Sequence, residues 1–125
     1  MLIYKSKWFK KWADKEGLAD VSLEDAINDV SNGLSDADLG GHVYKKRVAI
    51  EGQGKSGGLR TIIAFKLDDK AFFIYGFSKN KRSNINLKEL KALKQLAKEL
   101  LGYSNKQLKQ AVKAGSFVEV KWYER

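Results

Sequence analysis

Residues 40–82 read GGHVYKKRVAIEGQGKSGGLRTIIAFKLDDKAFFIYGFSKNKR and contain the segments that decide the fold. Three of these segments are rich in Val, Ile, Phe and Tyr, which are typical strand residues. They are His42–Ile50, Leu59–Leu67 and Ala71–Ser78, joined by a glycine-rich loop and by a tight polar turn at Asp68–Asp69. The pattern predicts a three-stranded, mainly antiparallel sheet at the centre of the chain.

The same stretch carries most of the positive charge of the protein. It holds ten Lys or Arg residues against three acids, a net charge of +7, while the whole chain of 125 residues carries +9. Side chains alternate between the two faces of a strand, so Lys45 and Arg47 share one face with Val43, and Lys46 lies on the other. A sheet with this charge favours a polyanionic ligand, and nucleic acid is the commonest one.

Two helices are predicted before the sheet. Trp8, Phe9 and Trp12 form an apolar face on a helix at Lys7–Glu16, after a short strand or extended lead-in at Leu2–Lys5. Ser22 is the expected N-cap of a second helix that ends at Gly33, and residues 34–39 are expected to form a loop. A short connection predicts that the two helices form an antiparallel hairpin.

Two more helices and a strand are predicted after the sheet. Asn86 and Glu89 form a capping-box pattern before a helix at Leu87–Leu101, whose lysines are interpreted as a solvated face. Ser104 and Gln107 repeat the capping-box pattern for a short helix to about Ala114, and residues 116–124 read as a last strand. The order predicts one α+β domain over residues 1–125: a helical hairpin packed on a small, mainly antiparallel β-sheet, with C-terminal helices. We expect the helices to cover one face of the sheet.

Composition excludes several classes of protein. The chain is 43% hydrophobic and 31% charged, as in soluble globular proteins, and no apolar run approaches the roughly 18–20 residues that span a bilayer. It has no cysteine and one histidine, which excludes thiolate chemistry and any site that needs two histidines. The N-terminus lacks the apolar segment of a secretory signal, so we expect a cytoplasmic protein without a membrane partner.

The glycine-rich loop at Glu51–Gly58 nearly matches a phosphate-binding motif. Residues 49–56, AIEGQGKS, resemble G-x-x-x-x-G-K-[ST] with alanine at the first position. That motif requires a helix after the loop, whereas the following LRTIIAF reads as a strand, so we predict no nucleotide cofactor. The glycines either bring Lys55 to a phosphate or form a flexible hairpin loop with a solvated lysine.

Five basic residues form the predicted catalytic set, and they are Lys45, Arg47, Lys55, Arg60 and Lys79. Cleavage of RNA by its own 2′-hydroxyl needs a base, a cation at the phosphate and an acid for the leaving oxygen. Arginines stay charged and hold the phosphate, while crowding by like charges favours the neutral form of a lysine that acts as base. The alternative is a set of solvated charges on a sheet face.

Other residues were considered for RNA binding and catalysis. The predicted RNA-binding residues are Lys46, Tyr75, Lys81 and Arg82, although strand aromatics such as Tyr75 are also common in cores. Histidine suits acid or base catalysis, but His42 beside a Gly-Gly turn is interpreted as structural. The basic surface offers no carboxylate cluster for Mg²⁺, so no metal site is predicted.

Residues 39–85, LGGHVYKKRVAIEGQGKSGGLRTIIAFKLDDKAFFIYGFSKNKRSNI, resemble the toxins of the RelE/ParE superfamily. The match is to the branch with the pattern KKR…G-x-GKSGG-x-R…F-x-KN. The resemblance implies a compact α+β fold, metal-independent cleavage of mRNA in the ribosomal A site, and a cognate antitoxin that binds and silences the toxin. ParE-like members instead inhibit DNA gyrase, and a non-catalytic RNA-binding module is a third possibility.

The resemblance also implies roles for individual residues. The two basic residues of the first long strand match Lys45 and Arg47, the arginine that starts the next strand matches Arg60, and the basic residue after the third strand matches Lys79 or Lys81. The chain departs from the RelE pattern at two positions, with Asn80 in place of an arginine and Asn86 in place of a tyrosine. The loop that carries Lys55 is also longer than in RelE.

Overall fold

The computed structural model describes residues 1–50 and 54–120, without the side chains of residues 54–57. The described part contains four helices and six strands in an α+β arrangement. In chain order they are β1 (Leu2–Ser6), α1 (Lys7–Glu16), α2 (Asp20–Ser31), β2 (Ala37–Gly40), β3 (Val43–Ile50), β4 (Gly54–Lys66), β5 (Lys70–Ser78), α3 (Leu87–Leu101), α4 (Asn105–Lys113) and β6 (Phe117–Glu119).

The six strands form one sheet in the order β2-β3-β4-β5-β1-β6. The predicted antiparallel centre, β3-β4-β5, is confirmed. The N-terminal strand β1 lies between β5 and β6, parallel to β5 and antiparallel to β6. Because β1 pairs with β5 only as far as Phe73, the last part of β5 extends beyond β1 and faces the start of α1.

The helix boundaries follow from local capping. Ser6 accepts a hydrogen bond from the Phe9 amide at the start of α1, and the capping boxes predicted at the starts of α3 and α4 are both confirmed. The prediction that Ser22 caps α2 is wrong, because α2 begins at Asp20. The carboxylate of Asp20 accepts a 2.7 Å hydrogen bond from the ammonium of Lys5 on β1. A tertiary contact therefore fixes this helix start.

The prediction that the helices cover one face of the sheet is also wrong. A core of Phe9, Leu23, Ile27, Ile63 and Phe73 joins the helical hairpin α1–α2 to one face. A second core joins α3 and α4 to the other face and includes Val43, Ile62, Phe72, Ala97 and Leu100. The molecule therefore has three layers, with the sheet buried between two pairs of helices.

Two segments predicted as loops contain strands. Residues 37–40, expected within a loop, pair with β3 as the edge strand β2. The predicted loop Glu51–Gly58 is wrong from Gly54 onward, because β4 begins there and pairs with Ile50. Residues 51–53 of that loop lie outside the described residues, as do residues 121–124 of the predicted last strand.

A β-bulge near Ile74 changes which way β5 side chains point. Ile62 pairs with Tyr75 but Ile63 pairs with Phe73, which leaves Ile74 as the extra residue. Phe72 and Phe77 consequently enter the same core, although simple alternation had placed them on opposite faces. In the described part of the chain, none of the helices has the length and apolar character to cross a membrane.

Candidate nucleic-acid interface

Two rows of paired residues cross β3, β4 and β5 on the face that α3 also covers. One row consists of Lys45, Ile62 and Tyr75, and the next consists of Arg47, Arg60 and Phe77. Arg47 and Arg60 are direct cross-strand partners, a register that brings Cβ atoms to about 4.5–5.5 Å. The structure therefore brings Lys45, Arg47 and Arg60 together, and the shared face of Lys45 and Arg47 is the one that strand alternation predicted.

Asp36 holds Arg47 in place on this face. Its carboxylate accepts hydrogen bonds from the Arg47 amide at 2.6 Å and from Nε at 2.8 Å. Partial burial alone would raise the pKa of Asp36, but these bonds from Arg47 hold that pKa below its ordinary value. The side chain of Arg47 is about half exposed, at 47%, and this contact uses one of the five guanidinium N–H donors. Asp36 thus orients Arg47 rather than withdrawing it from solvent.

Lys79 joins the same end of the sheet. Its backbone amide donates to the carbonyl of Gly58 at 2.6 Å, which places it beside the residue two positions before Arg60. Gly58 has a φ of +91°, and a Cβ there would lie 3.4 Å from the Lys79 Cβ. Lys79 itself is exposed. The remaining member of the predicted set, Lys55, lies on β4, but its side chain is outside the described residues.

Arg82 is held by neighbouring side chains. Its guanidinium donates to both carboxylate oxygens of Glu89 and, at 3.2 Å, to the hydroxyl of Tyr75, and it lies 5.8 Å over the Phe77 ring. The Arg82 hydrogen bonds lower the pKa of Glu89 to about 2, and Glu89 in turn raises the pKa of Arg82. Because Glu89 is also in the capping box of α3, Arg82 ties the end of β5 to the start of that helix.

An aromatic cleft adjoins the basic row. Trp8 stacks on Tyr75 with ring centroids 4.7 Å apart, and it remains 48% exposed. Trp12 lies directly over Gly76, where a Cβ would come within 2.2 Å of its ring. The cleft has a volume of about 210 Å³ and is lined in part by these aromatic residues, Lys81 and Arg82. The apolar pattern places Trp8 on one face of α1 and does not indicate this stack, whereas a glycine within a strand, here Gly76, indicates the close approach of the Trp12 ring.

Two residues considered from the sequence lie elsewhere. Lys46 is 5% exposed on the opposite face of the sheet, where its ammonium pairs with Asp29 at 3.1 Å and donates to the Leu34 carbonyl at 3.0 Å. It is therefore a structural residue and not part of this interface. His42 has a φ of +63° in the β2–β3 turn, at the opposite end of β3 from Arg47.

The α+β fold and its cationic sheet face define a small basic protein with a surface suited to a polyanion. The model described as the RelE toxin of the RelE / RelB toxin-antitoxin system matches residues 1–120, so the chain belongs to the RelE toxin family. Membership implies an antitoxin partner. A search of curated proteins found no significant match. Within residues 1–50 and 54–120, no three His, Asp or Glu side chains gather into a group suited to a metal ion.

Proposed function

We propose that this toxin is an endoribonuclease that cuts mRNA on the ribosome and thereby inhibits translation. The observation that supports this proposal is the direct pairing of Arg47 with Arg60, with Lys45 on the same face and Lys79 beside Gly58 at the same end of the sheet. Like charges on adjacent strands repel, and a bound phosphate offsets that cost. A planar guanidinium binds phosphate oxygens through two parallel hydrogen bonds, so two adjacent arginines suit a single phosphodiester.

In the proposed reaction, the ribose 2′-oxygen attacks the adjacent phosphorus and the bond from phosphorus to the 5′-oxygen breaks. The products are a 2′,3′-cyclic phosphate and a free 5′-hydroxyl, so atoms balance without a further reactant. Arg47 and Arg60 stabilise the extra negative charge that develops on the phosphate oxygens. Lys45 and Lys79 are the proposed proton acceptor and donor, because they flank the arginine pair.

The aromatic cleft provides a place for a base next to the cut. Bases of single-stranded RNA are commonly bound by stacking on aromatic side chains. Trp8 and Tyr75 already form a stack, Trp8 remains about half exposed, and Lys81 is exposed at the rim of the cleft. We therefore assign base stacking to Trp8 and Tyr75, and contact with the RNA backbone to Lys81. We further propose that the chain acts as a single toxin domain in the cytoplasm.

Mapping RNA ends tests the proposal. Primer extension on mRNA from cells that express the toxin is expected to show new 5′ ends within translated frames. Purified toxin is expected to produce the same ends only when ribosomes occupy the message. Arg60→Ala is the inactive variant, and Lys113→Ala, which removes one exposed cation from α4, is the matched control. Growth arrest with intact transcripts and loss of gyrase supercoiling would favour the ParE-like alternative.

A further inference from the structure

A second basic depression lies between α3 and the β2–β3 turn. Its volume is about 630 Å³, and we call it the lysine groove after its four basic lining residues, Lys66, Lys91, Lys94 and Lys98. His42 also lines it, and no acidic side chain occurs among the described lining residues. Lys66 forms an exposed ion pair with Asp69 at 3.9 Å, which contributes little.

Lys94 is fitted closely to the turn beneath it. A Cβ on Gly40 would lie 3.2 Å from the Lys94 ammonium nitrogen, and a Cβ on Gly41 would lie 3.6 Å from its Cγ. Both glycines have positive φ angles, of 83° and 61°. The lysine stem therefore packs along a glycine turn with its ammonium at the rim of the groove, which orders a side chain that is usually mobile.

The lysine groove leads toward the arginine pair. The first turn of α3 contacts the end of β5 through Glu89 and Arg82, whereas Lys70 at the start of β5 donates to the Tyr103 carbonyl just after α3. Helix α3 thus runs antiparallel to β5, and also to β3, because β5 and β3 are parallel to each other. Lys91 is consequently the groove lysine nearest to the Arg47 end of the sheet.

The groove lysines form a line along one side of α3. Lys91 and Lys98 are seven residues apart, a helical rise of about 10 Å. Lys45 lies on β3 between the His42 end of the groove and Arg47, so cations continue from the groove to the proposed cleavage site. A single row of cations in one narrow depression matches one phosphate backbone better than it matches a duplex.

We propose that the lysine groove binds the ribose-phosphate backbone of single-stranded RNA that continues from the phosphate held by Arg47 and Arg60. The inference rests on the proposed function for its substrate class, but it concerns binding and not the bond that breaks. Neutralising phosphates releases counterions, so each contact adds about 0.7 to the slope of log affinity against log salt for a single strand. Three lysines therefore account for a slope of about 2.

The test compares two triple variants that lower the net charge by the same amount. The groove variant carries Lys91→Gln, Lys94→Gln and Lys98→Gln, and the control carries Lys106→Gln, Lys109→Gln and Lys113→Gln on α4. The probe is a single-stranded RNA with a 2′-deoxy nucleotide at the mapped cut site, titrated at several salt concentrations. We expect the groove variant to lose about 2 from the slope and at least tenfold in affinity near 0.1 M salt, and the control to lose much less.

Further measurements separate this inference from the proposed function. With saturating ribosome-bound message, the groove variant should cleave at the wild-type rate with a raised KM, whereas Arg60→Ala should bind the RNA probe and not cleave the message. If the salt slope of RNA binding falls only in the groove variant, RNA binding by the lysine groove is supported even if the wild-type protein cleaves no RNA. Equal losses in both triple variants, equal binding of duplex RNA, or unchanged RNA binding with lost antitoxin binding would each overturn it. The double variant Lys91→Gln, Lys98→Gln changes only exposed positions and guards against misfolding.

Discussion

Arg60 offers a test in which activity and stability are expected to move independently. Arg60 on β4 pairs directly with Arg47 on the adjacent strand β3. Like charges in such a pair destabilise a sheet by about 0.2–1 kcal/mol. Replacing Arg60 with alanine removes that repulsion but also the partly buried side-chain stem, so the two effects oppose each other. We expect the free energy of unfolding to change by less than about 1 kcal/mol, which moves Tm by only a few degrees.

The expected effect on cleavage is much larger. Removing one preordered donor from a site that stabilises a developing oxyanion typically lowers the rate by about 10²–10³, or about 2.7–4 kcal/mol. Arg60→Lys should fall between wild type and alanine, because an ammonium keeps the charge but cannot form two parallel hydrogen bonds to phosphate. Activity at this position should therefore follow both the charge and the geometry of the side chain.

Single-turnover cleavage of a ribosome-bound message measures the rate, and thermal unfolding of the same preparations measures Tm. Lys113→Ala serves as the control for loss of one exposed positive charge. A folded Arg60→Ala protein that cleaves within threefold of wild type would refute the assignment of this face as the active site. A large fall in Tm that parallels the lost activity would instead show a structural role for Arg60.

Three other substitutions test contacts described above. The pKa of Glu89 in the folded protein, about 2, lies below its unfolded value of about 4.3, so its contribution to stability is present above that pH and is lost as pH falls toward 2. Glu89→Gln should therefore flatten the dependence of Tm on pH across this range, and an unchanged dependence would contradict the Arg82 contact. Gly76→Ala should lower the free energy of unfolding, measured by chemical denaturation, by about 1–3 kcal/mol because the new Cβ overlaps the Trp12 ring. In the double variant with Trp12→Ala, the loss should be less than the sum of the two single losses. Lys46→Ala should lower stability by about 1–3 kcal/mol without changing the RNA affinity of the folded fraction, and a selective loss of affinity would return Lys46 to the interface.

Features that depend on neighbouring residues could be predicted from the sequence. The capping boxes of α3 and α4 and the bounds of α1 follow from contacts within one helical turn, and they were predicted correctly. The shared face of Lys45 and Arg47 follows from strand alternation. Their alignment with Arg60 depends on the register of the β3–β4 pair, which strand alternation alone does not fix.

Features that depend on distant partners could not be predicted. Strand β2 contains Ala, Asp, Leu and Gly, and it is extended because β3 offers an open edge. The bulge at Ile74 reverses the facing of later residues, and neither glycine nor proline occupies that position to indicate a bulge. The stack of Trp8 on Tyr75 requires β1 to end beside the middle of β5, a parallel pairing between segments about 70 positions apart in the chain. The sequence does not distinguish Lys46 from its basic neighbours, because its partner Asp29 lies on a different element, α2.

The position of β1 between β5 and β6 has a consequence for synthesis of the toxin. Leu2 pairs with Lys70, and Tyr4 pairs with Glu119, so β1 completes its hydrogen bonds only after residues up to 119 have been made. Closing such long loops is slow, and we expect the nascent protein to stay protease-sensitive until β6 has left the ribosome. Released chains that end at residue 90 should be digested and released chains that end at residue 125 should resist; protection of the shorter chains would refute this order. A cell that makes this protein would then have an interval, set by elongation, in which each copy is still harmless.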